Sequence, residues 1–269
     1  MSYPVFLGAV VITAANNKIR FKEGAGAVTN AVIGTGTYYL RPGVLSASDL
    51  GFAIQSALGS AGPSANNYSV SVAPSIDPAD PGMTLTVTRT SGSDDFSIVL
   101  DGNETFDMDL IGITTTTAHD ASPKTSTLSC AAAWVGNDIL REREPFGERI
   151  ADVSRRVNGG VVGVSRSAHM VSWALGLAFV EERRMLLRAN ASDESATLEA
   201  FVRRFGAGAA FEAHEVPISS GTTLGNMSLS TRFGVLHWSA DSVTGFRPRR
   251  IGPGVPLYDL DMVAHEQVV

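Results

Sequence analysis

NNKIRFKEGAGAVTNAVIGTGTYYLRPGVLSASDLGFAIQSALGSA, residues 16–61, carries the pattern that decides the fold. It reads as a strand, a Gly-rich turn, a second strand, a tight corner at Gly36-Thr-Tyr-Tyr-Leu40 and then a helix. Ser46 is placed to cap the helix, and Asp49 falls in its first turn, where an acid complements the helix dipole. Leu50, Ala53, Ile54, Ala57 and Leu58 recur at helical spacing and form one apolar stripe. Gly59 is the expected left-handed stop. Two alternating strands follow, Tyr68-Ser-Val70-Ser-Val72 and Met83-Thr-Leu85-Thr-Val87-Thr88. Each of these elements has a single apolar face, and they bury those faces against one another, which predicts a small α+β unit.

The ordered motifs of this half are Asn17-Lys-Ile-Arg-Phe21, Gly36-Thr-Tyr38, Ser46 to Leu58, Tyr68-Ser-Val-Ser-Val72 and Leu110-Ile-Gly112-Ile113. As a set they resemble a small domain that recurs in structural proteins of tailed phages and other large virions. The resemblance covers roughly the first half of the chain and implies a virion component rather than an enzyme.

At 269 residues with 44% hydrophobic and 18% charged side chains, the chain has the makeup of a folded protein with a sizeable core. A formal charge of -6 gives no sign of nucleic acid as the main partner. Basic residues are mostly Arg, with lysine at positions 18, 22 and 124. That bias fits a GC-rich genome, and Arg also suits buried ion pairs. Cys130 stands alone, so neither an intrachain disulfide nor a cysteine metal site is available, and a small core residue is expected. The apolar run Tyr3 to Ala14 is too short to span a bilayer and lacks a basic leader, so a buried or docking strand at Val10-Val-Ile-Thr13 and synthesis in the cytoplasm are expected.

The polar stretch Thr114 to Ser126 reads as a linker. It divides the chain into an expected α+β module, 1–120, and a β-rich domain, 121–269. In the second half, Leu128 to Trp134 reads as a strand. Asn137 to Asn158 is dense in both charge signs and lacks a sustained period, so an exposed, partner-facing loop or arm is expected. Its Arg141, Arg143, Arg149, Arg155 and Arg156 form a candidate interface. Gly159 to Val164 turns into a strand. Ala168 to Phe179 reads as a strand, with a helix as the competing reading for this run, especially toward Glu181 to Met185. Asp193 to Gly206 reads as a helix capped by Ser192 or Asp193, with Leu198, Phe201, Val202 and Phe205 as its apolar face. Short strands follow at Ala210 to Val216, Gly234 to Trp238 and Leu257 to Val263. The fold class is therefore α+β, mostly antiparallel β, with two β-rich domains that each hold one helix.

Trp173 to Phe179, Glu181-Glu182, Leu198-Glu-Ala-Phe201 and Gly206-Ala-Gly208-Ala-Ala-Phe211 together resemble the distal-tail and lambda-type minor tail proteins of phages. In those proteins the segment builds a ring-forming domain. This chain departs from them at its N-terminal half and at Glu212-Ala-His-Glu-Val-Pro217, where an aromatic-proline run is usual. What the resemblance implies is a virion tail component that assembles with copies of itself, six or three to a ring, and with neighbouring tail proteins. A receptor- or glycan-binding module of a tail fibre is the alternative, and a wall hydrolase with a carboxylate pair in a cleft is a third.

Catalytic motifs find little support. The five histidines lie singly, and His214-Glu215 and His265-Glu266 are adjacent pairs whose members point to opposite faces of a strand. Gly163-Val-Ser165 lacks the second glycine of a nucleophile elbow. Gly24-Ala-Gly26 and Gly206-Ala-Gly208 read as turns rather than phosphate loops. Asp101, Asn103, Thr105, Asp107 and Asp109 would share one face of a strand and offer oxygen ligands to calcium, but the EF-hand glycine and glutamate are missing. An Asp101-Gly102 hairpin turn is the plainer account. Tyr38, Tyr39 and Tyr68 read as core rather than as sugar-stacking rings. No catalytic residue, metal or cofactor is expected.

Overall fold

The computed structural model describes residues 2–43, 46–61, 68–75, 82–90, 95–116, 124–125, 129–136, 139–142, 146–155, 161–186, 197–206, 208–217, 235–254 and 257–266. In chain order the first half contains β1 (Ser2–Gly8), β2 (Val10–Ile12), β3 (Lys18–Glu23), β4 (Thr29–Val32), β5 (Gly36–Tyr38), α1 (Leu50–Ala61), β6 (Tyr68–Ser75), β7 (Gly82–Arg89), β8 (Phe96–Ile98) and β9 (Lys124–Thr125), with a 3-10 turn at Met108–Ile111 before β9. The second half contains β10 (Ala133–Val135), β11 (Ile139–Glu142), β12 (Phe146–Arg155), β13 (Val161–Glu181), α2 (Glu182–Met185), α3 (Leu198–Arg204), β14 (Ala210–Pro217), β15 (Val235–Trp238), α4 (Ala240–Thr244), β16 (Arg249–Arg250) and β17 (Leu257–Glu266). The fold is α+β and mostly antiparallel, as the alternating segments predict. The second half holds two short helices, α2 and α4, besides the expected one.

One large sheet runs β10-β1-β14-β15-β17-β13-β11, with β12 also on β13 and β16 on β17. The first strand therefore belongs to the sheet of the second half, so the expected division at residue 120 does not hold for β1. Val5 lies opposite Val135 on one side and His214 on the other. Residues 9–132 leave and re-enter the sheet between two paired neighbours, β1 and β10, and the crossing is closed by Gly8 N donating to Ala132 O at 2.9 Å. What reads in sequence as an N-terminal domain is an insertion into a β-hairpin of the sheet.

Three small sheets, β2-β5, β4-β3-β8 and β6-β7-β9, build the inserted module around α1. The stripe Leu50, Ala53, Ile54, Ala57 and Leu58 is buried as predicted, and each fully buried Leu or Ile contributes about 1.5–3 kcal/mol. The helix ends differ from expectation. Asp49, not Ser46, occupies the capping position: its carbonyl accepts the first helical bond, from Ala53 N at 3.1 Å. Its carboxylate reaches back to accept from Ser46 N at 2.6 Å and Ser46 Oγ at 2.8 Å. Gly59 does not stop the helix. It is buried within α1, which runs on to Ala61.

The core of the large sheet is aromatic. Phe6 of β1 lies 5.3 Å from Trp134, 5.7 Å from Phe211, 5.5 Å from Trp238 and 6.2 Å from Phe201, ring centre to ring centre. The face Leu198, Phe201, Val202 and Phe205 of α3 is buried on it. The described helix is capped by Thr197, whose Oγ1 accepts from Ala200 N at 3.1 Å; Ser192 and Asp193 lie outside the described residues. Gly8 has to be glycine for space, because a Cβ there would sit 2.3 Å from the Phe205 ring. Cys130 is buried and free, as a small core residue.

Two further expectations are corrected. Leu128 to Trp134 is not one strand: 131–132 form a turn and β10 starts at Ala133. Asn137 to Asn158 is not a loop. Within it β11 and β12 pair antiparallel with β13, Glu142 opposite Leu175 and Phe146 opposite Ser172. Pairing with β13 needs no sustained apolar period, which is why composition alone reads as loop. Ala168 to Phe179 is strand, within β13, and the competing helical reading holds only from Glu182, where α2 begins.

Candidate functional site

Two features stand out among the described residues: a buried ionic cluster between module and sheet, and a hairpin that runs past the neighbouring strand.

Arg41 follows the Tyr38-Tyr39-Leu40 corner and projects from the module toward β14. Its Nε donates to Glu212 Oε2 at 2.9 Å, and its Nη2 pairs with Glu212 Oε1. Its Nη1 donates to Asp49 Oδ1 at 2.6 Å and to Ser48 Oγ at 2.9 Å. The guanidinium carbon sits 4.8 Å from the Tyr39 ring centre, a cation–π contact. His214, two residues from Glu212 and on the same face of β14, places Nε2 3.0 Å from Glu212 Oε2. Asp49, Glu212 and His214 are buried.

Burial opposes the charge on Glu212, but the hydrogen bonds from His214 and Arg41 outweigh it and hold the carboxyl below its ordinary range. Bonding to Glu212 first, and to Asp49, holds Arg41 protonated against its own burial. Burial, then the Glu212 charge, pushes the Tyr39 hydroxyl up, with Arg41 opposing. Both Glu212 oxygens are engaged, so the arrangement acts as a clamp between module and sheet. Sequence reading paired His214 with Glu215 and missed it. The available signal was Glu212-Ala-His214, whose alternate positions share a strand face; nothing in the sequence pointed to Arg41 as their partner.

Within the module, the Tyr68 hydroxyl donates to Glu23, and burial followed by that bond raises its pKa. Arg89 Nη2 lies 3.8 Å from Glu23 Oε2. Tyr39 and Tyr68 are buried, as read from sequence, and Tyr38 is half-buried with its hydroxyl donating to Gly34 O at 3.0 Å.

The acidic run does not form a strand, so Asp101, Asn103, Asp107 and Asp109 do not share a face. Asp101 lies 2.8 Å from Arg20 Nη2, and that hydrogen bond lowers its pKa. Asn103 N donates to Asp101 Oδ1 at 3.1 Å. Asp107 caps the 3-10 turn by accepting from Asp109 N, and pairs with Arg204 of α3. These acids stitch loops together. Among the described residues, no group of three His, Cys, Asp or Glu side chains is placed to hold a metal ion.

Of the candidate interface arginines, Arg141 lies in β11, and Arg149 and Arg155 lie in β12. Arg143 and Arg156 lie outside the described residues. Ser172 of β13 faces Phe146 of β12 on one side and His265 of β17 on the other. β12 and β17 therefore flank β13 on opposite edges. β17 ends at Glu266, so residues 161–171 of β13 run past it with β12 as their partner among the described residues. At about 3.3 Å per residue, this hairpin projects roughly 30 Å beyond the sheet.

A cleft of about 310 Å³ opens on α1, lined in part by Val32, Tyr38, Phe52, Ser56 and Ser60. Val32 is 53% and Phe52 40% exposed. No family model, no curated protein and no solved structure matches this chain.

Proposed function

We propose that this chain is a structural component of a bacteriophage tail, at the distal tail, tail tip or baseplate ring, and that it works by assembly with copies of itself and with neighbouring tail proteins. The observation that carries the reading is the projecting hairpin of β12 and β13. A two-stranded ribbon of this length is marginal alone in water, and its edges, which carry no further strand among the described residues, are a template for another chain. A heterologous contact whose rotation closes gives a ring, of six or three copies by the tail-protein resemblance. The ordered virion-type motifs of the inserted module support the same class. In this reading the protein is made in the host cytoplasm and resides in the virion tail, with no catalytic, metal or nucleic-acid-specific role. Among the described residues no helix is long and apolar enough to cross a membrane.

The cleft beside Phe52 and Tyr38, with hydroxyls from Ser56 and Ser60 at its wall, favours the second reading, a receptor- or glycan-binding module of a tail fibre. Electron microscopy of particles labelled for this chain separates the two. Label in a collar around the tail axis is expected. Label along fibres overturns the first reading in favour of the second, and particles without label overturn both.

A further inference from the structure

We infer that the turn opened by Arg247-Pro-Arg-Arg-Ile251 is a docking surface for an anionic phospholipid bilayer, with the arginines on headgroup phosphates and Ile251 at the acyl boundary. The inference goes beyond the assembly reading and does not need a ring. Arg247, Arg249 and Arg250 are all exposed, in a chain whose formal charge is -6. β16 pairs with the start of β17, Arg249 opposite Asp259 and Arg250 opposite Tyr258. The module leaves the sheet at the other end of β17, because Gly8 is level with Glu266 through Phe211 and Leu236. The arginine turn therefore lies at the end of the sheet opposite to both the module and residues 161–171 of β13. Its shape is held by Ile251 N donating to Leu257 O at 3.0 Å and by Gly254 at a left-handed φ of 83°.

Guanidinium forks match phosphate oxygens, so the arginines alone would fit a nucleic acid or a lipid headgroup. Ile251 decides between them. It is 41% exposed beside the arginines. A bilayer interface takes an apolar side chain and cations side by side, whereas a nucleic-acid backbone leaves that side chain in water. The Arg249 side chain is 82% exposed, and its 3.7 Å contact with Asp259 is a surface pair of the kind that contributes little. Asp259 and the exposed Asp261 are the acids of that face of β17. Asp261 stands four residues into β17 from Leu257, roughly 13 Å back along the strand, which exceeds the screening length of about 10 Å in ordinary salt. Three arginines then act against Asp259 alone. Each cation near an anionic membrane strengthens binding about fivefold.

Sedimentation of the full chain with phosphatidylglycerol vesicles and with phosphatidylcholine vesicles reads this contact. Affinity for phosphatidylglycerol should be higher by about tenfold or more at low salt, and should fall as salt is raised. The double variant Arg249→Glu, Arg250→Glu should lose that preference while its urea unfolding midpoint stays that of wild type, because both positions are exposed. Cys130 is buried, so Ile251→Cys supplies an accessible thiol for an environment-sensitive dye. Its emission should shift to the blue on phosphatidylglycerol vesicles. Equal or absent binding to the two vesicles overturns the inference, as does a double variant that still prefers phosphatidylglycerol. A dye that stays in water overturns the placing of Ile251. Duplex DNA bound as tightly as phosphatidylglycerol vesicles would make the turn a general phosphate contact and overturn the choice of lipid. None of these results bears on whether the chain forms a ring, which the labelled particles decide.

Discussion

Arg41 holds two carboxylates at once, Asp49 in its own module and Glu212 in the large sheet. Its removal leaves both buried acids without their cation, a loss that costs about 3–5 kcal/mol when a buried pair is broken on one side. Arg41→Ala is therefore expected to lower stability by that amount in urea unfolding, and a change below about 1 kcal/mol would mean that the clamp does not hold the module. Glu212 adds a pH signature. Its folded-state carboxyl titrates below the unfolded value of 4.5, so protons bind the unfolded chain more readily. Its contribution is full above pH 4.5 and drains away as pH falls through the folded value. The stability gap between wild type and Glu212→Gln should thus be present at pH 7 and shrink toward pH 3. A gap that stays constant or widens on acidification would show that the carboxylate is not held by Arg41 and His214.

At the scale of single elements, periodicity was a good guide wherever one face is buried. The stripe of α1, the alternation of β6 and β7, and the apolar face of α3 are all visible in sequence because each element meets one core. Ends were less legible. Ser46 looks like a cap, yet Asp49 takes that role because its carboxylate is drawn back by Ser46 and across by Arg41. The β11–β12 segment reads as a loop because its strands are fixed by pairing with β13, which a charged sequence without alternation does not announce. The contact set of Arg41, made of Tyr39, Ser48, Asp49 and Glu212, was invisible, since its members come from positions as distant as Tyr39 and Glu212. Phe201 tests the aromatic core: its ring lies 4.9 Å from Phe205 and 6.4 Å from Phe211. Phe201→Ala should cost about 3–5 kcal/mol by the cavity it leaves. A loss below about 1 kcal/mol in chemical unfolding would mean that α3 is not seated on the sheet.

For the whole molecule, the insertion of residues 9–132 into the β1–β10 hairpin sets what proteolysis can separate. Thr114 to Ser126 remains the expected first cut, as a polar stretch that begins with the exposed Thr114, Thr115 and Thr116, although Lys124 and Thr125 pair with β7. The nicked fragments should stay together in gel filtration, because β1 is held between β10 and β14 and Arg41 bridges to Glu212. Fragments that part without denaturant would contradict the shared sheet. The proposed virion class rests on the ordered motifs and the proposed ring on the projecting hairpin. The mass of the purified full chain across a concentration series tests that ring most directly. The account predicts a closed species of six or three copies of the 28.3 kDa chain, with no larger polymer as concentration rises. A chain that stays monomeric at the highest concentration, or that grows without limit into open filaments, would contradict it.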